Sequence, residues 1–167
     1  MSAVFNSTFV PWFRSVAPYI HMHRGKTLVV GMPGEAIADG KLPNIVQDLA
    51  LIHSMGLKII LVYGFRPQVN EQLAVKGQQP RYHKGVRITD AVALDCVLEA
   101  AGQLRYEVEA AFSQALPNTP LAGATVKVVS GNFVTARPMG IVDGVDYHHT
   151  GLVRKIDVAL IQQLLDQ

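Results

Sequence analysis

The run Leu57-Lys-Ile-Ile-Leu-Val-Tyr63 admits few conformations. Lys58 apart, it is apolar and rich in β-branched residues, without the alternation of a half-wetted strand. Such runs belong to strands buried on both faces, a habit of parallel sheets covered by helices. The flanks agree. Pro43 to Ser54 has helical spacing through Ile45, Leu49, Ile52 and Met55, with Gly56 as a stop signal. Pro67 to Val75 is a helix opened by proline and closed by Gly77. Thr27 to Met32 is a second strand-type run, and before it Phe9 to His23 places Phe9, Phe13, Val16 and Ile20 on one helical stripe. Helix, strand, helix, strand, helix predicts an α/β fold, a mainly parallel sheet between helix layers.

The rest of the chain adds a β-hairpin and a long helix. Arg81 to Thr89 turns at Lys84-Gly85. Asp90 is a natural N-cap for a helix to about Leu116, with Leu94, Leu98, Ala101, Leu104, Val108 and Phe112 on its expected buried side. Strands are expected at Thr125 to Ser130 and Phe133 to Arg137, and a hairpin around Tyr147 to Ile156. Asp157 then caps a last helix. An α/β fold usually adds a strand after such a helix, so a fragment is expected.

At 167 residues, 49% of them hydrophobic, the chain has the size of one domain or a large part of one. Fifteen basic residues face 13 acidic ones without long runs of either sign, which argues against nucleic acid or an anionic membrane as partner. Cys96 stands alone, which excludes an internal disulfide framework and suits a reducing, cytoplasmic setting.

Two loops fall at strand carboxyl ends, where open parallel sheets bind ligands: Gly31-Met-Pro-Gly34 and Gly64-Phe-Arg-Pro67. Gly34 and Gly64 allow close backbone approach, and the helix starts behind them offer free N–H groups to an anion. Both loops also read as ordinary tight turns. Arg66, at a strand end and helix start, either meets an anion or points to solvent. His148 and His149 are adjacent and lack further ligand residues, so no metal site is expected. No histidine forms a nucleophilic triad with Cys96 or a serine, and no catalytic residue is assigned.

The segments PYIHMHRGKTLVVGMPGEAI, LVYGFRPQVN, YHKGVRITD and SGNFVTARPMGIVDGVDYHHTGLVRKID together resemble the amino-acid kinase-like domain of bacterial N-acetylglutamate synthase, an amino-acid N-acetyltransferase family. The resemblance covers residues 9 to 166. It implies an N-terminal helix over 1–24 and the N-terminal part of a kinase-like domain over 25–167, with the C-terminal acetyltransferase domain absent. The family transfers acetyl from acetyl-CoA, the substrate of that missing domain, to L-glutamate in arginine biosynthesis. Its kinase-like domain binds the effector L-arginine and builds a homo-oligomer. No cofactor is implied for this segment.

The related acetylglutamate kinase has lysine where this chain has Gly31, and a loop glycine where it has Pro33. That lysine neutralises charge on a phosphoryl group in transfer, and proline also removes an N–H donor. Phe65 and Arg66 replace two glycines of the second loop. Phosphoryl transfer is therefore disfavoured. Two rivals remain, a working acetylglutamate kinase segment and a non-enzymatic amino-acid-binding module.

Arg87 matches the kinase arginine that grips a substrate carboxylate, a task suited to a planar fork of donors; the competing reading is an internal salt bridge that fixes the hairpin. Tyr19 matches a helix that approaches the arginine site in relatives, and otherwise reads as an amphipathic interface residue. Val4, Phe5, Phe9, Trp12 and Phe13 make an aromatic start that fits a subunit interface, the competing reading being packing on its own domain.

Overall fold

The computed structural model describes residues 9–114 and 126–167. Val4, Phe5, Leu116 and Thr125 therefore lie outside the described residues. The order is α1 (Phe9–His23), β1 (Thr27–Met32), α2 (Gly34–Ala38), α3 (Leu42–Ser54), β2 (Lys58–Tyr63), α4 (Arg66–Val75), β3 (Tyr82–His83), β4 (Val86–Arg87) and α5 (Ala91–Ser113). It continues with β5 (Val134–Pro138), β6 (Ile141–Val142), β7 (Val145–Asp146), β8 (Gly151–Ile156) and α6 (Val158–Leu165). The expected elements up to α5 are present, with α2 a short extra helix.

β1 and β2 pair in parallel, from Thr27 opposite Lys58 to Met32 opposite Tyr63. The alternating pleat puts Met32, Leu61 and Tyr63 on one face, where they pack against Val46 of α3 and Val108 of α5. The other face is open, with Val29 62% and Val62 57% exposed. The expectation of burial on both faces thus fails here, because among the described residues the core packs against one side of a two-stranded pair. A second core joins α4 to α5 through Val69, Leu73, Ala93, Cys96 and Ala100. Cys96 is fully buried, a small hydrophobe as expected.

Asp90 caps α5 by accepting a hydrogen bond from the Ala93 amide at 2.9 Å. Of the expected stripe of α5, Leu104 and Val108 are buried and Leu94, Ala101 and Phe112 half-buried, but Leu98 is 62% exposed and the stripe also takes in Ala93, Cys96 and Ala100. Small residues admit α4 to close approach, so helix contact chose them over the bulkier apolar side chains.

The hairpin at Lys84-Gly85 is present; both residues have positive φ, 50° and 78°, as a mirror-image two-residue turn demands. The expected hairpin at Tyr147 to Ile156 is not. The hairpin is β6–β7, turned by Asp143-Gly144 at φ 52° and 75°, whereas β8 pairs antiparallel with β5. Asp-Gly supplies the φ > 0 pair that such a turn needs, which the 147–156 stretch does not offer. Residues 126–130 form no strand, since a strand exists only through a ladder, and they have no pairing partner among the described residues. Asp157 caps α6, accepting from the Leu160 amide.

Candidate functional site

The two glycine loops lie against each other at the carboxyl end of β1 and β2. The Gly64 amide donates to Met32 O at 2.9 Å, which carries the pairing one step past the strands. Pro33 is extended at φ −68° and ψ 149° and hands the chain to α2 at Gly34. A Cβ at Gly34 would meet Gly64 O and Pro67 Cδ at 2.9 Å each, and Gln68 Oε1 at 3.0 Å. Packing against the second loop therefore requires glycine at 34. Gln68 reinforces this by donating its Nε2 to Gly34 O at 3.0 Å, while its Oε1 is buried without a partner. Space that a phosphate-cradling loop leaves open is here filled by protein.

Beside these loops stands an arginine cluster. Arg66 opens α4, and Asn70 lies one turn along the same helix. The β3–β4 turn sets Tyr82 directly opposite Arg87. The Arg87 guanidinium lies 5.0 Å from the Tyr82 ring centre and that of Arg66 5.5 Å from it, both in cation–π range. Arg87 Nη2 donates to Asn70 Oδ1 at 2.6 Å, and the Tyr82 hydroxyl donates to the same oxygen at 3.0 Å. Longer bonds of 3.4 Å run from Arg66 Nη2 to Gly85 O and from Arg87 Nη2 to Arg66 O.

Two features give this cluster chemical meaning. Among the described residues, no carboxylate pairs with Arg66 or Arg87, although Arg81 and Arg105 each have one. Arg87 Nη1 is buried and makes no hydrogen bond. Two neighbouring like charges repel unless an anion or a dipole compensates them, and a planar guanidinium is suited to a carboxylate or phosphate oxygen. The internal salt bridge weighed for Arg87 is replaced by its bond to Asn70.

Of the residues singled out in the sequence, Gly34, Gly64, Arg66 and Arg87 thus fall in one neighbourhood. Tyr19 is 63% exposed on α1, a helix with no buried residue, and joins none of the contacts within the cluster. Sequence reasoning missed Tyr82, Asn70 and Gln68. Tyr82 was within reach, because a two-residue turn at Lys84-Gly85 pairs position 82 with 87. Asn70 and Gln68 carry no signal beyond their helical spacing from Arg66 and from the loop.

Elsewhere, Asp90 is held below the usual carboxylate range, first by the Ala93 amide and then by Arg81, whose Nη2 is 2.8 Å from Asp90 Oδ2. Burial, aided by Glu109, pushes the Tyr63 hydroxyl up. Among the described residues, no group of three His, Cys, Asp or Glu side chains has the arrangement to hold a metal ion, and no helix is long and apolar enough to cross a membrane.

Residues 26–167 match the amino acid kinase family. The chain is 59% identical over 157 residues to an amino-acid acetyltransferase of Ralstonia nicotianae, covering 94% of this chain and 35% of the relative. It is 52% identical over 162 residues to one of Photobacterium profundum, covering 97% and 37%. It is also similar to N-acetylglutamate synthase from Neisseria gonorrhoeae complexed with coenzyme A and L-arginine, with a TM-score of 0.86 and 37% identity over 95% of this chain and 37% of that one. The same enzyme complexed with coenzyme A and N-acetyl-glutamate gives 0.82 and 38%, over 95% and 35%. The chain thus spans little more than a third of the length of these relatives.

Proposed function

The chain belongs to the amino acid kinase family, and from that membership we propose that it is the N-terminal part of the kinase-like domain of an N-acetylglutamate synthase, serving effector sensing and assembly. In this reading residues 1–24 are the N-terminal segment that carries α1, and residues 25–167 the N-terminal part of the kinase-like domain. Acetyl-CoA and L-glutamate are substrates of the whole protein, which works in the cytoplasm, and L-arginine is its effector. The exposed aromatic side of α1, with Phe9, Trp12 and Phe13 about half exposed, serves contacts in a homo-oligomer.

The arginine cluster carries the reading. Arg66, which is exposed, and Arg87, half-buried, have no carboxylate partner among the described residues and together hold a carboxylate. They repel the guanidinium of an arginine ligand, so any role toward L-arginine is restricted to its carboxylate end. The neighbouring crevice does not transfer phosphate. It lacks a lysine at Gly31, loses an amide at Pro33 and is closed by Gly34 against Gly64.

Calorimetric titration with N-acetyl-L-glutamate, L-arginine and ATP tests this. A carboxylate ligand is expected to bind, and Arg87→Lys, which keeps the charge but loses the fork, is expected to weaken it about 10- to 100-fold. No ADP is expected from ATP and N-acetyl-L-glutamate. Turnover in that assay, or carboxylate binding unchanged in Arg87→Lys, sinks the assignment.

A further inference from the structure

The hairpin that presents Tyr82 and Arg87 is gripped by a segment far along the chain. Tyr147, 1% exposed, donates its hydroxyl to His83 O at 3.2 Å. Thr89 forms a parallel bridge with His148, and the His149 amide donates to Thr89 O at 2.9 Å. Thr150 Oγ1 lies 2.6 Å from Arg87 O and 2.9 Å from Thr89 Oγ1. A threonine hydroxyl has one proton. Arg87 O can only accept, so the Thr150 proton goes to it, and the Thr89 hydroxyl must donate to Thr150. Geometry therefore fixes the order Thr89 to Thr150 to Arg87 O. Hydroxyls in such a chain polarise one another, and Thr89 is only 8% exposed, so water competes weakly.

A second tie joins the two hairpins at their tips, where Lys84 Nζ is 2.5 Å from Asp143 Oδ2. Both side chains are at least half exposed, and an ion pair in that setting contributes little. The hydroxyl relay is the stronger hold.

We propose that Thr150 is a positioning residue for the arginine pair. By holding the Arg87 carbonyl it fixes the peptide from which the guanidinium is aimed, and so sets carboxylate affinity through Arg87. The inference rests on the carboxylate-binding reading of Arg66 and Arg87.

Thr150→Val keeps the shape and removes the hydroxyl; Thr150→Ser restores it. In the intact chain titrated with N-acetyl-L-glutamate, Thr150→Val is expected to raise Kd about tenfold and Thr150→Ser to return it to within about twofold of the parent. Asp143→Asn, which removes the charge and still accepts the positive φ of that turn, is expected to stay within about twofold. The Arg87 side-chain Nε–H resonance should broaden or shift in Thr150→Val and return in Thr150→Ser, which a loss of overall stability alone does not produce. If Thr150→Val does not fold, Thr89→Val decides, since it leaves the bond to Arg87 but strips its donor, with about a threefold rise expected. Parent binding with Kd and resonance unchanged in the folded variants overturns the positioning role alone. Absence of binding by the parent chain overturns the carboxylate reading and this inference with it.

Discussion

A methyl group added at Gly34 meets three atoms at once, with Gly64 O and Pro67 Cδ at 2.9 Å and Gln68 Oε1 at 3.0 Å. Carbon atoms in contact sit about 3.5–4.0 Å apart. The proline ring and a backbone carbonyl must therefore each retreat by roughly half an ångström, and only the glutamine is flexible enough to do so freely. Overpacking of this kind costs about 1–3 kcal/mol. Against it stands the helix preference of alanine over glycine, up to about 1 kcal/mol and less at a helix start. Gly34→Ala is therefore expected to lose about 1–2 kcal/mol, which lowers a urea midpoint by roughly 0.5–1 M. Gly31→Ala is the control. Nothing lies within 4 Å of a Cβ there and its φ is not left-handed, so stability should hold or rise by up to about 1 kcal/mol. If Gly34→Ala unfolds with the parent while Gly31→Ala behaves as described, the loops do not touch as they do here. The argument that protein fills the crevice then fails.

Asp90→Ala removes the α5 cap and should cost about 1 kcal/mol near neutral pH. Because folding holds the Asp90 carboxyl below its ordinary value, its contribution is present above the unfolded carboxylate pKa and fades as pH falls through the folded one; urea melts of parent and variant should converge below about pH 4. On the same helix, Ala100→Leu overfills a position only 1% exposed and should cost about 1–3 kcal/mol, whereas Leu98→Gln should change stability by less than about 0.5 kcal/mol. Thermal melts that rank these two the other way would restore the stripe first read from the sequence.

The parallel β1–β2 pair, the helices around it and the turn at Lys84-Gly85 were legible because each follows from local rules of period, capping or positive φ. What escaped the sequence depends on partners. Leu104 and Val108 of α5 are buried as expected, but Ala93, Cys96 and Ala100 take the place of Leu98, because small residues look weakly apolar until a neighbouring helix needs the room. The hairpin lies before Tyr147 and not after it because Asp143-Gly144 supplies the tight turn, and only the paired strands on either side reveal it as a hairpin link. At the site, Arg66 and Arg87 were visible as charges at a strand end and on a hairpin. Asn70, whose Oδ1 receives Arg87, was not, since a helical asparagine gains meaning only from what folds onto it.

The bond from Thr150 to Arg87 spans 63 positions of chain, and that separation has a consequence for biosynthesis. A ribosome adding about 5–20 residues per second takes roughly 3–13 s to cover it. During that interval the β1–β2 ladder and the core between α4 and α5 come to have their partners, while the hairpin of Arg87 waits for its anchor. Nascent chains arrested after residue 113 and before residue 150 should therefore show α4 and α5 shielded from amide exchange and residues 82–89 still open. The hairpin of Arg87 then matures after the helices it rests on, a delay written into where a single hydroxyl sits along the message.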